Sequence, residues 1–170
     1  MFVRSDSDAL ILAYKTYVLP LLEYCSQVWS PHHATEITRI ESVQRIFTKR
    51  LNNFKNLSYA ERLAKASMCT LELRRLRADL LLCYKILHGF VTINSDICFF
   101  ELDKTSQTRG HPWKLKLRNA RLDCRLHFYT FRTATAWNSL SPTTVCAGSV
   151  FNFKLNLAKE NLSRFLTIIL

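Results

Sequence analysis

Glycine and proline are scarce, 3 and 4 among 170 residues. So few cannot supply the tight turns of an all-β fold or a long flexible linker, and three isolated glycines cannot build a Walker-type or dinucleotide phosphate loop. Acidic residues are also few, 13 against 24 Lys and Arg, and no two Asp are adjacent. Nucleotide polymerisation by two metal ions needs carboxylates close enough to share both ions, so the residues for that chemistry are missing. Asp79, the nearest imitation, falls mid-helix beside Arg75, where a solvated salt bridge is expected. The longest apolar tract, Phe165 to Leu170, is far short of the roughly 18 residues that a membrane span needs. The first eight residues carry one Arg and two Asp and lead into an amphipathic stretch, which is not a secretory signal; an intracellular chain, nuclear or cytoplasmic, is expected.

The six cysteines form no Cys-x-x-Cys pair, which predicts reduced, buried thiols. None of the five His has a second His or a carboxylate at helical spacing within a predicted helix, and His33 with Glu36 straddles a helix start; no metal or cofactor is expected.

What is present favours helices. Hydrophobic residues make up 48% and charged residues 22% of the chain, the range of one globular domain or two small lobes. Leu10, Tyr14, Tyr17, Val18, Leu21, Cys25, Val28 and Trp29 follow one helical stripe, which Asp6 or Ser7 could cap and which Pro20 should kink. A second helix is predicted over residues 35–51, burying Ile37, Ile40, Val43 or Gln44, Phe47 and Leu51, with Arg39, Arg45, Lys49 and Arg50 outward. Ser58-Tyr59-Ala60-Glu61 is a capping box that starts a third. A fourth follows Thr70, with Leu80, Cys83 and Tyr84 on its apolar face, an Arg75–Asp79 pair on its flank and Gly89 to end it.

Residues 90–107 show no clean period and read as a connector between a helical lobe, 1–89, and a smaller lobe, 108–170. There the period changes to two. Trp113, Leu115 and Leu117 alternate with Lys114 and Lys116, and Leu122, Cys124, Leu126 and Phe128 with Asp123, Arg125 and His127. This predicts an antiparallel hairpin turning near Asn119. A helix from Tyr129, a Ser141-Pro142 turn and a helix capped by Ser149 complete it. The expected class is mainly α, a helical bundle followed by a small α+β lobe.

The charge is localised. Residues 104–132 hold eight Lys and Arg against one acid, a net +7 of the chain's +11. Such an excess points to a polyanionic partner, and phosphate contacts of this kind confer affinity and salt dependence with little sequence specificity. Of the three tryptophans, Trp29 and Trp137 are expected in the core, and Trp113 is open.

Several motifs in order carry a resemblance. Tyr14-Lys15-Thr16-Tyr17-Val18, Pro20, Leu22-Glu23-Tyr24-Cys25-Ser26 and Val28-Trp29-Ser30-Pro31 are followed by Ile40-Glu41-Ser42-Val43-Gln44-Arg45 and Phe47-Thr48-Lys49. Leu57-Ser58-Tyr59, Glu61-Arg62-Leu63, Leu71-Glu72 and Arg74-Arg75-Leu76-Arg77-Ala78-Asp79-Leu80 come next. Then come Thr108-Arg109-Gly110-His111, Lys114-Leu115, Arg121, Arg125, Trp137-Asn138-Ser139-Leu140 and Phe153-Lys154. Together they resemble the thumb and post-thumb region of LINE-type, jockey-like non-LTR retrotransposon reverse transcriptases. The chain departs from the pattern at Leu19 and Ile46, where Arg is common, at Met68-Cys69, and at Ser141, which intrudes before Pro142.

The resemblance implies a thumb-like lobe that holds template RNA and growing cDNA, without the fingers, the Mg-binding palm or the endonuclease. The chain then reads as a non-catalytic fragment of an RNA-directed DNA polymerase, a truncated element copy or a fragmentary gene model, with read-through rather than a designed terminus as one reading of its Phe165–Leu170 tail. Its expected partners are RNA and DNA, held by their phosphates, and the missing palm and fingers, with no membrane. The expected phosphate contacts are Arg39, Arg45, Lys49, Arg50, Arg74, Arg77, Arg109, Lys114, Lys116, Arg118, Arg121 and Arg125. The alternatives are a protein-interaction or oligomerisation module, or a decayed fragment with no function.

Overall fold

The computed structural model describes residues 7–92, 99–103 and 110–168, and the fold is mainly helical. In chain order the helices are α1 (Ser7–Ala13), a π turn (Tyr14–Val18), α2 (Leu19–Glu23), α3 (Ser26–Trp29), α4 (Ala34–Arg50), α5 (Tyr59–Lys65), α6 (Leu71–Leu87), α7 (Asp123–Leu126), α8 (Tyr129–Trp137), α9 (Pro142–Val145) and α10 (Val150–Lys159). The chain divides into two compact units between Arg75 and Leu76, inside α6, and the segment from Leu166 onward belongs to the first.

In the first unit, proline shapes the opening helices. Pro20 has no N–H to offer the carbonyl four residues back, and the turn before it widens so that the Leu19 N–H donates to the Tyr14 carbonyl. Cys25, at φ 51, then breaks the path between α2 and α3. The predicted single stripe is thereby split. Ile11, Tyr14 and Leu19 are buried, whereas Tyr17, Leu21, Tyr24 and Val28 are exposed. Trp29, expected in the core, is 40% exposed, with its indole N–H on the Tyr24 carbonyl at 2.6 Å. Tyr14 stacks on Phe47 at 4.2 Å, and its burial pushes the phenol up to about 12.

The inward face of α4 is polar at its centre. Glu41, Gln44 and Thr48 are fully buried, while Val43 is exposed, which settles the choice between Val43 and Gln44. The Glu41 carboxylate accepts from the Tyr59 hydroxyl and, at 2.9 Å, from the Leu71 N–H that opens α6. Gln44 donates to the Tyr59 oxygen at 3.1 Å and the Cys69 carbonyl at 2.9 Å. Two residues of α4 thus fix the start of α6 and the ring of α5, because buried polar groups must find partners. The capping box forms, with Ser58 and Glu61 satisfying each other's backbone N–H groups. Glu72 accepts from the N–H groups of Thr167 and Ile168, both at 2.9 Å, and so anchors the C-terminal segment.

Burial lifts the Glu41 carboxyl above its usual range, against the hydrogen bonds from Tyr59 and Leu71 that favour the ionised form. A folded-state value above the unfolded one means that the unfolded chain releases this proton first, so ionisation draws the equilibrium toward unfolding. The contribution of Glu41 to stability is therefore largest below the ordinary carboxylate range and falls as pH rises through the raised value. The stability of the parent minus that of Glu41→Gln should decline as pH rises from the ordinary carboxylate range through the raised value. Urea titrations across that window check it, and a flat difference would show that burial does not shift Glu41.

In the second unit, α6 closes as expected. Gly89, at φ 73, lets Phe90 and Gly89 donate to the carbonyls of Lys85 and Ile86 at 2.8 and 3.2 Å. Trp137 and Phe153 are completely buried, with Tyr84 stacked on Phe153 at 4.2 Å. Ser149 caps α10 as predicted. The intruding Ser141 caps α9 and donates to Glu160, and Thr144 also donates to that carboxylate at 2.6 Å. Burial alone would raise Glu160, but these hydrogen bonds outweigh it and hold the carboxyl below its usual range. Asp79 is buried rather than solvated and is gripped by Arg132 at 2.9 and 3.3 Å.

The predicted hairpin does not form. Residues 123–126 are the helical turn α7, and the lone antiparallel bridge among the described residues joins Leu115 to Leu102. The reason lies in Asn138. Its side-chain amide accepts from the Leu115 N–H at 2.8 Å and donates to the Leu115 carbonyl at 2.7 Å, filling the place of a second strand. The alternation over 122–128 reflects no buried face, since Leu122, Leu126 and Phe128 are all exposed. Helical geometry there instead brings His127 to 3.3 Å from Asp123, a pairing that a strand reading hides. Of the five described cysteines only Cys83 is buried, and Cys25, Cys124 and Cys146 are exposed; Cys98 lies outside the described residues.

Candidate nucleic-acid interface

The basic stretch of the second unit is held from beneath by the core. Trp137, at the end of α8, donates its indole N–H to the Trp113 carbonyl at 2.8 Å, and the neighbouring Asn138 fixes Leu115. His111 Nε2 donates to the Trp137 carbonyl at 3.1 Å, and burial holds this imidazole below its usual range, favouring the neutral ring. With Leu115 turned inward, Lys116 faces solvent and Lys114 is half-buried.

The cations of this stretch differ in use. Lys116 and Arg118 both reach the Glu101 carboxylate at 3.2 Å, and their hydrogen bonds hold it below its usual range. Arg121 and Arg125 are exposed and have no side-chain partner among the described residues. Arg132 is committed to Asp79 and the His127 carbonyl. Arg109 lies outside the described residues, as does Lys104.

In the first unit Arg39, Lys49 and Arg50 are exposed on α4. Arg45 is half-buried, with its guanidinium 4.2 Å over the Tyr59 ring, so it braces the packing of α5. Arg74 forms a two-pronged ion pair with Glu23. Within the second unit, Arg77 donates to the Ala158 carbonyl at 3.3 Å. Arg45, Arg74 and Arg77 are thus engaged in packing, whereas Arg39, Lys49, Arg50, Lys116, Arg118, Arg121 and Arg125 present charge to solvent.

Reading the sequence for charge misses one feature of the second unit. A groove comprising two adjoining cavities, of about 430 and 420 Å³, shares Phe99, Arg118, Thr130 and Phe131 as walls. Lys116, Arg125 and Arg132 also line it, with Glu101 the one acid among the described residues of its walls. Phe99 sits in the stretch read as an aperiodic connector, and Phe131 reads as an ordinary apolar residue of α8, so neither carries a local signal of its own.

Comparison with protein-family models, with curated proteins and with solved structures finds no match to this chain.

Proposed function

We propose that the chain is a non-catalytic nucleic-acid-binding module, equivalent to the thumb and post-thumb region of a LINE-type reverse transcriptase, that holds template RNA and cDNA by their phosphates. The observation that carries this reading is the exposed row Lys116, Arg118, Arg121 and Arg125, in which Asp123 is the one interrupting acid. Charges so placed neutralise phosphates and release counterions, which makes binding strong at low salt and insensitive to sequence. The order of motifs along the chain supports the reverse-transcriptase origin, and the absence of an adjacent Asp pair supports a binding role without polymerisation.

A titration of a labelled RNA–DNA duplex by fluorescence anisotropy at several salt concentrations tests the reading. The expected result is a steep fall of log K with log salt, by about 0.9 per phosphate neutralised on a B-form duplex, and equal affinity for duplexes of unrelated sequence. Binding that ignores salt would overturn it.

A second reading, a protein-docking module, is favoured by Tyr17, Leu21, Tyr24 and Val28, which recur at helical spacing in the first unit and are between 73% and 84% exposed. Large apolar side chains left uncovered in this number mark association surfaces. This reading expects concentration-dependent association and no salt slope with nucleic acid.

A further inference from the structure

We propose that the groove of the second unit binds one unstacked nucleotide of a single-stranded nucleic acid, with the base against Phe99 and Phe131 and the phosphate where the Glu101 carboxylate now lies. The inference rests on the nucleic-acid reading above and adds a site that duplex binding does not require.

Three observations converge on it. The cavities, about 430 and 420 Å³, are each within the ~300–1,000 Å³ typical of small-ligand sites. Their walls combine the aromatic side chains Phe99 and Phe131 with cations, the combination on which unpaired bases stack while the backbone follows the charge. Finally, an anion already occupies the cationic corner. The Glu101 carboxylate sits 3.2 Å from both Lys116 and Arg118, and it presents the oxygen acceptors that a phosphate would present to the same donors. Because all three side chains are substantially exposed, the carboxylate is held weakly and can be exchanged for a phosphate. A duplex keeps its bases paired and stacked, so only a single strand can use the aromatic walls.

The test compares a labelled twelve-residue oligouridylate with a blunt RNA–DNA duplex on the full chain. Phe131→Leu and Phe99→Leu keep apolar volume but remove the stacking face. Each should weaken oligouridylate binding about tenfold, the loss of one stacked base, and leave duplex affinity within about twofold. Glu101→Gln should strengthen oligouridylate binding severalfold, because Lys116 and Arg118 lose their competing anion. Uridine monophosphate should compete only weakly, since it lacks the neighbouring phosphates, and polyglutamate should not displace the strand. The assignment is overturned if both Leu variants bind the oligouridylate like the parent, if Glu101→Gln leaves its affinity unchanged, or if polyglutamate competes as well as RNA. Duplex binding that persists through such results would leave the backbone-binding reading standing, whereas a parent that binds neither probe would overturn both.

Discussion

Replacing Trp137 by alanine is expected to lower the midpoint of thermal unfolding by roughly 6–20 °C. The estimate follows from a loss of about 3–5 kcal/mol for truncating a buried aromatic and about 2–4 °C per kcal/mol in a chain of this size. Trp137 is completely buried, stacked 6.0 Å from Phe153 and edge-on to His111 at 6.1 Å. Alanine would leave a void among these rings and strip the Trp113 carbonyl of its donor. Because Asn138 follows directly and fixes Leu115, the damage should reach the basic stretch as well as the core. Trp137→Phe keeps one aromatic ring but loses the N–H and part of the indole volume, so it should cost less than alanine, about 1–3 kcal/mol. Circular dichroism melts of the two variants decide the matter, and an alanine variant that melts with the parent would show that the second unit is not built around this ring.

Elements whose cause is local are the ones legible in the sequence. The Ser58–Glu61 box, Gly89 and Ser149 each act on backbone groups within a few residues, and each ends or begins a helix where its chemistry requires. The second helix was recognisable from its period to within a residue at either end. What escaped depends on distant partners. Leu115 alternates like a strand residue, but its neighbour is an amide side chain 23 positions away. Asp79 finds Arg132 across 53 positions and is buried by doing so. Glu41 looks like the polar flank of an amphipathic helix, and Gln44 is one of two candidates for its buried face, until Tyr59, Cys69 and Leu71 supply their partners.

This distinction bears on the motifs behind the reverse-transcriptase resemblance. Within Ile40-Glu41-Ser42-Val43-Gln44-Arg45, and again within Trp137-Asn138-Ser139-Leu140, the most characteristic side chains are turned inward to hold neighbouring segments. They serve the fold. The exposed cations proposed for a partner lie elsewhere. The helical period turns Arg39, Lys49 and Arg50 outward and the alternation does the same for Lys116, whereas nothing periodic places Arg118 and Arg121. Phe99 and Phe131 are ordinary residues until folding brings them to one groove. The candidate site was therefore legible as a charge distribution and not as a geometry.

That charge distribution leads to the largest expected functional effect. Lys116, Arg118, Arg121 and Arg125 are exposed, and none of them supports the core, so replacing all four by alanine should leave the helical content intact. If each neutralises one phosphate, the slope of log K against log salt should flatten by roughly 3 to 4 units. Between about 50 and 200 mM salt the parent would then lose on the order of a hundredfold more affinity than the variant. A contrasting variant, Arg74→Ala, removes a cation that is already spent on Glu23, so it should lower the melting temperature and leave the slope where it was. The pair separates charge that binds from charge that braces. Should the fourfold variant keep the parent's slope, the row from Lys116 to Arg125 would be removed from the binding surface, and cations outside it, among them Arg39, Lys49 and Arg50 on α4, would be left to carry it.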